Sequence, residues 1–147
     1  MAPRYTPAQR FARILLGIGM LTAGIGHLTV QRDAFQAQVP EWVPLDKDLT
    51  VVLSGYVEIL LGLAMIVGGR YRTRSGLALA LFFVLVFPGN IAQYVNHTSA
   101  FGLDTDSKRF ARLFFQPVLV LWALWSSGAY AQWQQKRIQR LGGAVPE

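Results

Sequence analysis

The chain has no cysteine among its 147 residues. That removes disulfides, thiolate metal sites, iron–sulfur clusters, covalent haem attachment and dithiol relays in one step. Any redox role then depends on a bound cofactor or substrate. Charge is scarce too: 15% of residues are Asp, Glu, Lys or Arg against 52% hydrophobic, too apolar a balance for an ordinary soluble domain of this size. Acids are scarcer than bases, 8 against 14, giving a net charge of +6. The basic residues flank apolar runs instead of forming one patch, so no nucleic-acid partner is expected. No internal repeat is visible, which argues against an inverted-repeat transporter.

What is present is long apolar runs. Four stretches, residues 11–29, 49–69, 76–95 and 110–131, are long enough to cross about 30 Å of hydrocarbon as helices. The first follows basic residues as a secretory signal would, but it holds a histidine and lacks a small-x-small cleavage site, so it reads as a retained helix. Arg4, Arg10 and Arg13 precede the first stretch, Arg70, Arg72 and Arg74 separate the second and third, and Lys136, Arg137 and Arg140 follow the fourth. Asp33, Glu41, Asp46, Asp48, Asp104 and Asp106 occupy the other two loops. The positive-inside rule then gives one topology. The expectation is a single all-α domain over 1–147, an integral membrane four-helix bundle in a bacterial plasma membrane. Both termini are cytoplasmic and 132–147 is a cytoplasmic tail.

Polar side chains inside such spans are costly and normally face a cavity or one another. His27 ends the first span, and Glu58 lies in the second, roughly 13 Å from its outer end at 1.5 Å per residue. Asn90, Gln93 and Tyr94 close the third span. Arg112 and Gln116 open the fourth, one turn apart and on one face. All four spans thus place polar groups in the outer half, whereas inner segments such as Ile14-Leu15-Leu16 are apolar. Pro88 and Pro117 sit inside spans and leave the carbonyls of Val84 and Leu113 without their usual donors. Pro88-Gly89-Asn90 is expected to bend the third span beside Asn90. The first outer loop, with Val39-Pro40-Glu41-Trp42-Val43-Pro44, is expected to cap the outer end, and the loop around Phe101 to fold onto the same mouth. Trp122, Trp125 and Trp133 read as lipid contacts or interfacial anchors. A plain packing reading of the polar residues makes Glu58 and Arg112 a buried ion pair, with His27, Asn90 and Gln116 satisfying leftover groups.

Gly24-Ile25-Gly26-His27-Leu28, Phe35 with the Val39–Pro44 segment, Ser54-Gly55-Tyr56-Val57-Glu58-Ile59-Leu60-Leu61-Gly62, Val86-Phe87-Pro88-Gly89-Asn90-Ile91 and Arg112-Leu113-Phe114-Phe115-Gln116-Pro117 follow in order. In this order and spacing the chain resembles the DoxX family of small four-helix membrane proteins. The resemblance implies membrane redox work, since a subunit of an archaeal thiosulfate:quinone oxidoreductase gives the family its name. It also implies a shared set of polar positions at His27, Glu58, Asn90, Arg112 and Gln116. The expected function is a membrane oxidoreductase, or its subunit, handling a quinone-like or lipophilic substrate in an outward-facing pocket. Glu58, His27 and Arg112 are the expected catalytic groups, and Asn90, Gln116, Gln93 and Tyr94 bind substrate. Glu58 and His27 would exchange protons, while Arg112 stabilises negative charge. No metal site is expected, nor haem, because His27 has no second intramembrane histidine to share the axial positions. The cofactor is otherwise open. Expected partners are membrane lipid, a lipophilic small molecule and a partner oxidoreductase subunit. The alternative is a non-catalytic ligand-binding or scaffold subunit that docks a partner enzyme, for which Arg70-Tyr71-Arg72-Thr73-Arg74 offers a face. Transport is not expected, because the apolar inner half continues no polar path.

Overall fold

A computed structural model of the chain describes residues 5–142; Arg4 and tail residues 143–147 lie outside the described residues. Among the described residues there are α-helices, one 3-10 turn and no strand. Helix α1 spans Pro7–Leu28, α2 Arg32–Gln36, α3 Lys47–Val67, α4 Arg72–Val95, α5 Asp106–Ser126 and α6 Ala129–Gly142, with the 3-10 turn at Gly69–Tyr71. Local chemistry explains the starts. Thr6 and Gln9 form a reciprocal capping box ahead of Pro7, and Asp46 accepts from the Leu49 amide at 3.1 Å. Thr105 caps α5 through the Lys108 amide, and Gly68, at φ +58°, stops α3.

Helices α1, α3 and α4 cover the first three expected spans and are each long and apolar enough to cross a membrane. The fourth differs. The stretch expected to run straight over 110–131 breaks after Ser126, and α6 leaves α5 at 69°, so a fourth crossing of that length arises only if both arms count as one. The cause lies at Ser127-Gly128. Ser127 Oγ donates to the Leu124 carbonyl and accepts from the Ala129 amide, and Gly128 takes the left-handed φ of +77°. An apolar count sees neither effect.

The long helices touch around a ring, α1 to α3, α3 to α4, α4 to α5 and α5 back to α1. Two antiparallel pairs make the closest contacts. A Cβ on Gly17 would lie 2.8 Å from the Gly62 carbonyl oxygen, and one on Gly24 would lie 2.6 Å from that of Gly55. The glycines are seven residues apart on each helix, so α1 and α3 meet backbone to backbone at two levels. In the other pair Gly76 admits Ala123 and Ser127. Trp122 Nε1 donates to the Ala12 carbonyl at 3.0 Å and ties α5 to α1. Leu16, Met20, Met65, Leu79, Ala80, Phe83 and Ala123 fill the centre. Outside, Leu60, Val67, Leu85 and Leu121, among many large apolar side chains, are exposed.

The two ends differ electrostatically. At the end with the longer loops, cations meet acids: Arg32 with Asp48, Lys108 with Asp104 at 2.6 Å and Arg109 with Asp106 at 2.8 Å. At the opposite, basic end the arginines rest on rings, Arg72 over Tyr5 at 4.2 Å, Arg70 over Tyr71 at 4.6 Å and Arg137 over Trp133 at 5.6 Å. Buried Arg13 donates to Tyr5 OH at 2.9 Å and to the Ile66 carbonyl at 3.4 Å, serving the open end of α3. With Ser126 and Ser127 it makes this end more polar inside than the sequence suggests.

Candidate functional site

A cavity of about 450 Å³ lies between α1, α3, α4 and α5 under the first long loop. Leu16 and Met20 of α1, Phe83 of α4 and Leu119 and Trp122 of α5 give it apolar walls. Its polar groups include His27, Glu58, Asn90, Arg112 and Gln116, so all three expected catalytic residues and two of the expected binding residues come together. Gln93 and Tyr94 do not join them. Gln93 accepts from Gln38 Nε2 at 3.1 Å and donates to the Thr98 carbonyl at 3.3 Å, a brace between the two loops. Tyr94 packs on Phe110, ring centroids 5.8 Å apart. Both sit beyond Asn90 toward the end of α4, Gln93 against the two loops and Tyr94 against the start of α5. Trp122 also departs from its expected lipid-facing role, since it lines the cavity and bonds α1.

Pro88 and Gly89 both line the cavity from α4, which runs as one helix from Arg72 to Val95. A side chain on Gly89 would strike the Gln38 carbonyl oxygen, so the absent Cβ lets the first loop lie directly on α4. Gln38, Val39, Pro40, Trp42 and Val43 of that loop roof the cavity. Arg32 clamps the loop to Asp48 at the start of α3; the hydrogen bond pushes the Arg32 guanidinium above its ordinary value. Phe35 lies against the His27 ring, centroids 3.5 Å apart, and Phe101 of the second loop packs on Phe35 at 4.6 Å. Both loops therefore meet over the histidine.

The amides of Asn90 and Gln116 are engaged by protein. Asn90 Nδ2 donates to Gln116 Oε1 at 3.0 Å, and Gln116 Nε2 donates to the Phe83 carbonyl at 2.6 Å. That acceptor lies one residue before the Val84 carbonyl singled out by the proline argument. Glu58 does not pair with Arg112. Its Oε2 stands 3.6 Å from His27 Nε2, is buried and makes no hydrogen bond. Half-buried Arg112 lines the same space and is beyond ion-pair reach of the carboxylate. On the other side of the ring, His27 Nδ1 is 2.8 Å from Ser54 Oγ and 3.3 Å from the Val51 carbonyl. Ser54, one residue of the Ser54–Gly62 run, stands one turn before Glu58 and so shares its face of α3, a placement that helical spacing alone carries. The arrangement presents a carboxyl, an imidazole and a guanidinium to one apolar chamber with hydrogen-bonding capacity unspent.

A family model matches residues 16–127. The chain belongs to DUF8561, a domain of unknown function. The match takes in His27, Ser54, Glu58, Asn90, Arg112 and Gln116, so the DUF8561 domain contains the whole polar set. It also corrects the DoxX resemblance: the family found is DUF8561, and DoxX is not matched. The motifs misled because each is a short run of glycine, aromatic and aliphatic residues around one polar group. Any small helical protein with a chamber at one depth calls for such runs. Comparison with curated proteins and with solved structures returns no match.

Proposed function

We propose that this DUF8561 protein is an integral membrane protein that binds a lipophilic, quinone-like molecule in the cavity and handles it as an oxidoreductase or as the membrane subunit of one. Four crossings of a bacterial plasma membrane, with both termini cytoplasmic, are supported by the exposed apolar side chains around the ring. The basic end, whose arginines lie on aromatic rings, suits the cytoplasmic face, and the acid-paired loops suit the outer one. The cavity then lies in the outer half of the bilayer.

The observation that carries the ligand reading is a pair of under-used groups: among the described residues Glu58 Oε2 makes no hydrogen bond and meets only His27 Nε2, at 3.6 Å, and Arg112 has no carboxylate within ion-pair reach. Ionisable side chains within the hydrocarbon cost about 2.5 to 3.5 kcal/mol on insertion scales, and simple glue would close these contacts to hydrogen-bond distance. A chamber of about 450 Å³ falls inside the range of about 300 to 1,000 Å³ typical of small-molecule pockets. An apolar ring or tail lies along Met20, Phe83 and Leu119, and its oxygen-bearing head meets Arg112 and Glu58. Reduction of a quinone takes two electrons and two protons. The cavity side chains bind the head and pass protons, and a partner subunit supplies the electrons.

The test is titration of the detergent-purified protein with a short-chain ubiquinone, followed through tryptophan quenching, since Trp42 and Trp122 line the chamber. Saturable quenching that is weakened in Glu58→Gln supports the reading. Absence of saturation, or identical curves for the two proteins, removes it.

A further inference from the structure

We propose that Ser54 is a positioning residue that locks His27 with a proton on Nδ1, so that His27 Nε2 and Glu58 Oε2 hold a single transferable proton between them. A carbonyl oxygen only accepts, and the Val51 carbonyl lies 3.3 Å from Nδ1. Ser54 Oγ lies 2.8 Å from Nδ1 while donating its own hydrogen to that same Val51 carbonyl at 2.8 Å. Its lone pairs are what remain for the ring. Two acceptors therefore face Nδ1, and the nitrogen must be the donor. A bare Nδ1 would point its lone pair at a carbonyl oxygen, which repels it.

The rest follows from the ring's chemistry. With Nδ1 protonated, neutral His27 presents a lone pair at Nε2, and the atom facing it at 3.6 Å is a carboxyl oxygen. Two lone pairs facing each other across this gap in a buried site repel, so in the resting site one proton lies between them, on Oε2 or on Nε2. At 3.6 Å the contact is longer than a closed hydrogen bond of about 2.7 to 3.2 Å. The proton is thus only loosely held and is open to capture by an oxygen in the cavity. When it leaves, one O–H bond forms on that oxygen and the pair becomes a carboxylate beside neutral imidazole. Arg112 in the same chamber offsets the new charge. Phe35, against the ring from the loop side, keeps the imidazole in this orientation.

This use of the proton rests on the ligand reading above, but the tautomer does not, so the two fail separately. The chain has only two histidines, and a His97→Gln variant assigns the spectrum. In ring-¹⁵N-histidine-labelled protein without ligand, His27 should show a protonated Nδ1, whichever side the shared proton occupies. Ser54→Ala removes the nearer acceptor, at 2.8 Å, and leaves the longer contact to the Val51 carbonyl, at 3.3 Å, so the ring is freed to turn and the Nδ1-protonated share should fall; Ser54→Thr, which keeps the hydroxyl, should restore the single form. A bare Nδ1 in the unsubstituted protein, or a Ser54→Ala spectrum identical to it, overturns the proposal. Should Ser54→Ala fail to fold, the unsubstituted and Ser54→Thr spectra still decide the state of Nδ1.

Discussion

At the scale of single residues, the cavity separates side chains that hold the protein together from side chains that burden it. Asn90 and Gln116 belong to the first group, each bonded across α4 and α5. Replacing Asn90 by Leu leaves Gln116 Oε1 without its donor and should lower unfolding stability by about 0.6 to 2 kcal/mol, the range for bonds between membrane helices. Arg112 belongs to the second group: among the described residues no carboxylate lies within ion-pair reach, and Glu58 attracts it only at longer range. Arg112→Leu should raise the thermal midpoint, because it removes a desolvated cation whose longer-range attraction to Glu58 does not offset its burial. It should also weaken quinone binding roughly ten- to a hundred-fold, as expected for losing a charged hydrogen bond of about 1.5 to 3 kcal/mol. Thermal melts and titrations on both variants check the pair, and a destabilised Arg112→Leu would mean that the guanidinium has a structural partner. The sequence exposed most of this site, since His27, Glu58, Asn90, Arg112 and Gln116 are polar residues at one depth. What it hid was pairing. Coulomb attraction alone favours Glu58 with Arg112, whereas the Gly24–Gly55 contact draws α1 against α3 and delivers His27 to Glu58 instead.

At the scale of elements, glycine placement decides which helices touch. As small residues Gly17, Gly24 and Gly62 suit close helix contact, which serves one bundle as readily as a dimer. The structure uses them inside the chain. Gly24→Ala sets a methyl 2.6 Å from the Gly55 carbonyl oxygen, a backbone atom that cannot move aside without separating the helices. A loss of about 1 to 3 kcal/mol is expected, the cost of overpacking. Gly19→Ala meets nothing within 4 Å and should be neutral or stabilising by up to about 1 kcal/mol through helix propensity. Denaturant unfolding of the two variants should separate them, and equal effects would show that α1 and α3 do not depend on this crossing. Gly89 plays the same part between helix and loop. Gly89→Ala should lift the first loop and raise protease cleavage within 37–44, while leaving the α1–α3 pair intact. The expected spans start at 11, 49 and 110, whereas the caps Thr6, Asp46 and Thr105 begin the helices two to four residues earlier, and the break after Ser126 was not legible, because Ser127 acts through local hydrogen bonds that hydropathy does not register.

At the scale of the whole molecule, charge sorting turns the fold into an oriented object. Cations at the loop end are neutralised by neighbouring acids, as Arg32 is by Asp48 and Lys108 by Asp104. Translocating that end therefore carries little net charge. At the basic end Arg70, Arg72 and Arg137 lie over aromatic rings, which leaves their charge intact, and this excess should hold its end in the cytoplasm. Because α6 turns 69° away from α5, an upright α5 would lay α6 close to the membrane plane, with Trp133 and Ile138 exposed along it. The absence of cysteine makes this testable without removing any native thiol. Val30, 95% exposed beside the first loop, and Ile138, 69% exposed on α6, lie toward opposite ends. In intact cells a membrane-impermeant maleimide should label Val30→Cys and spare Ile138→Cys, and lysis should make both reactive. Labelling of Ile138→Cys in intact cells would invert the orientation and place the Glu58–His27 pair in the cytoplasmic half. The pair would then draw its proton from the cytoplasm, so the direction of proton delivery to any bound quinone depends on this one measurement.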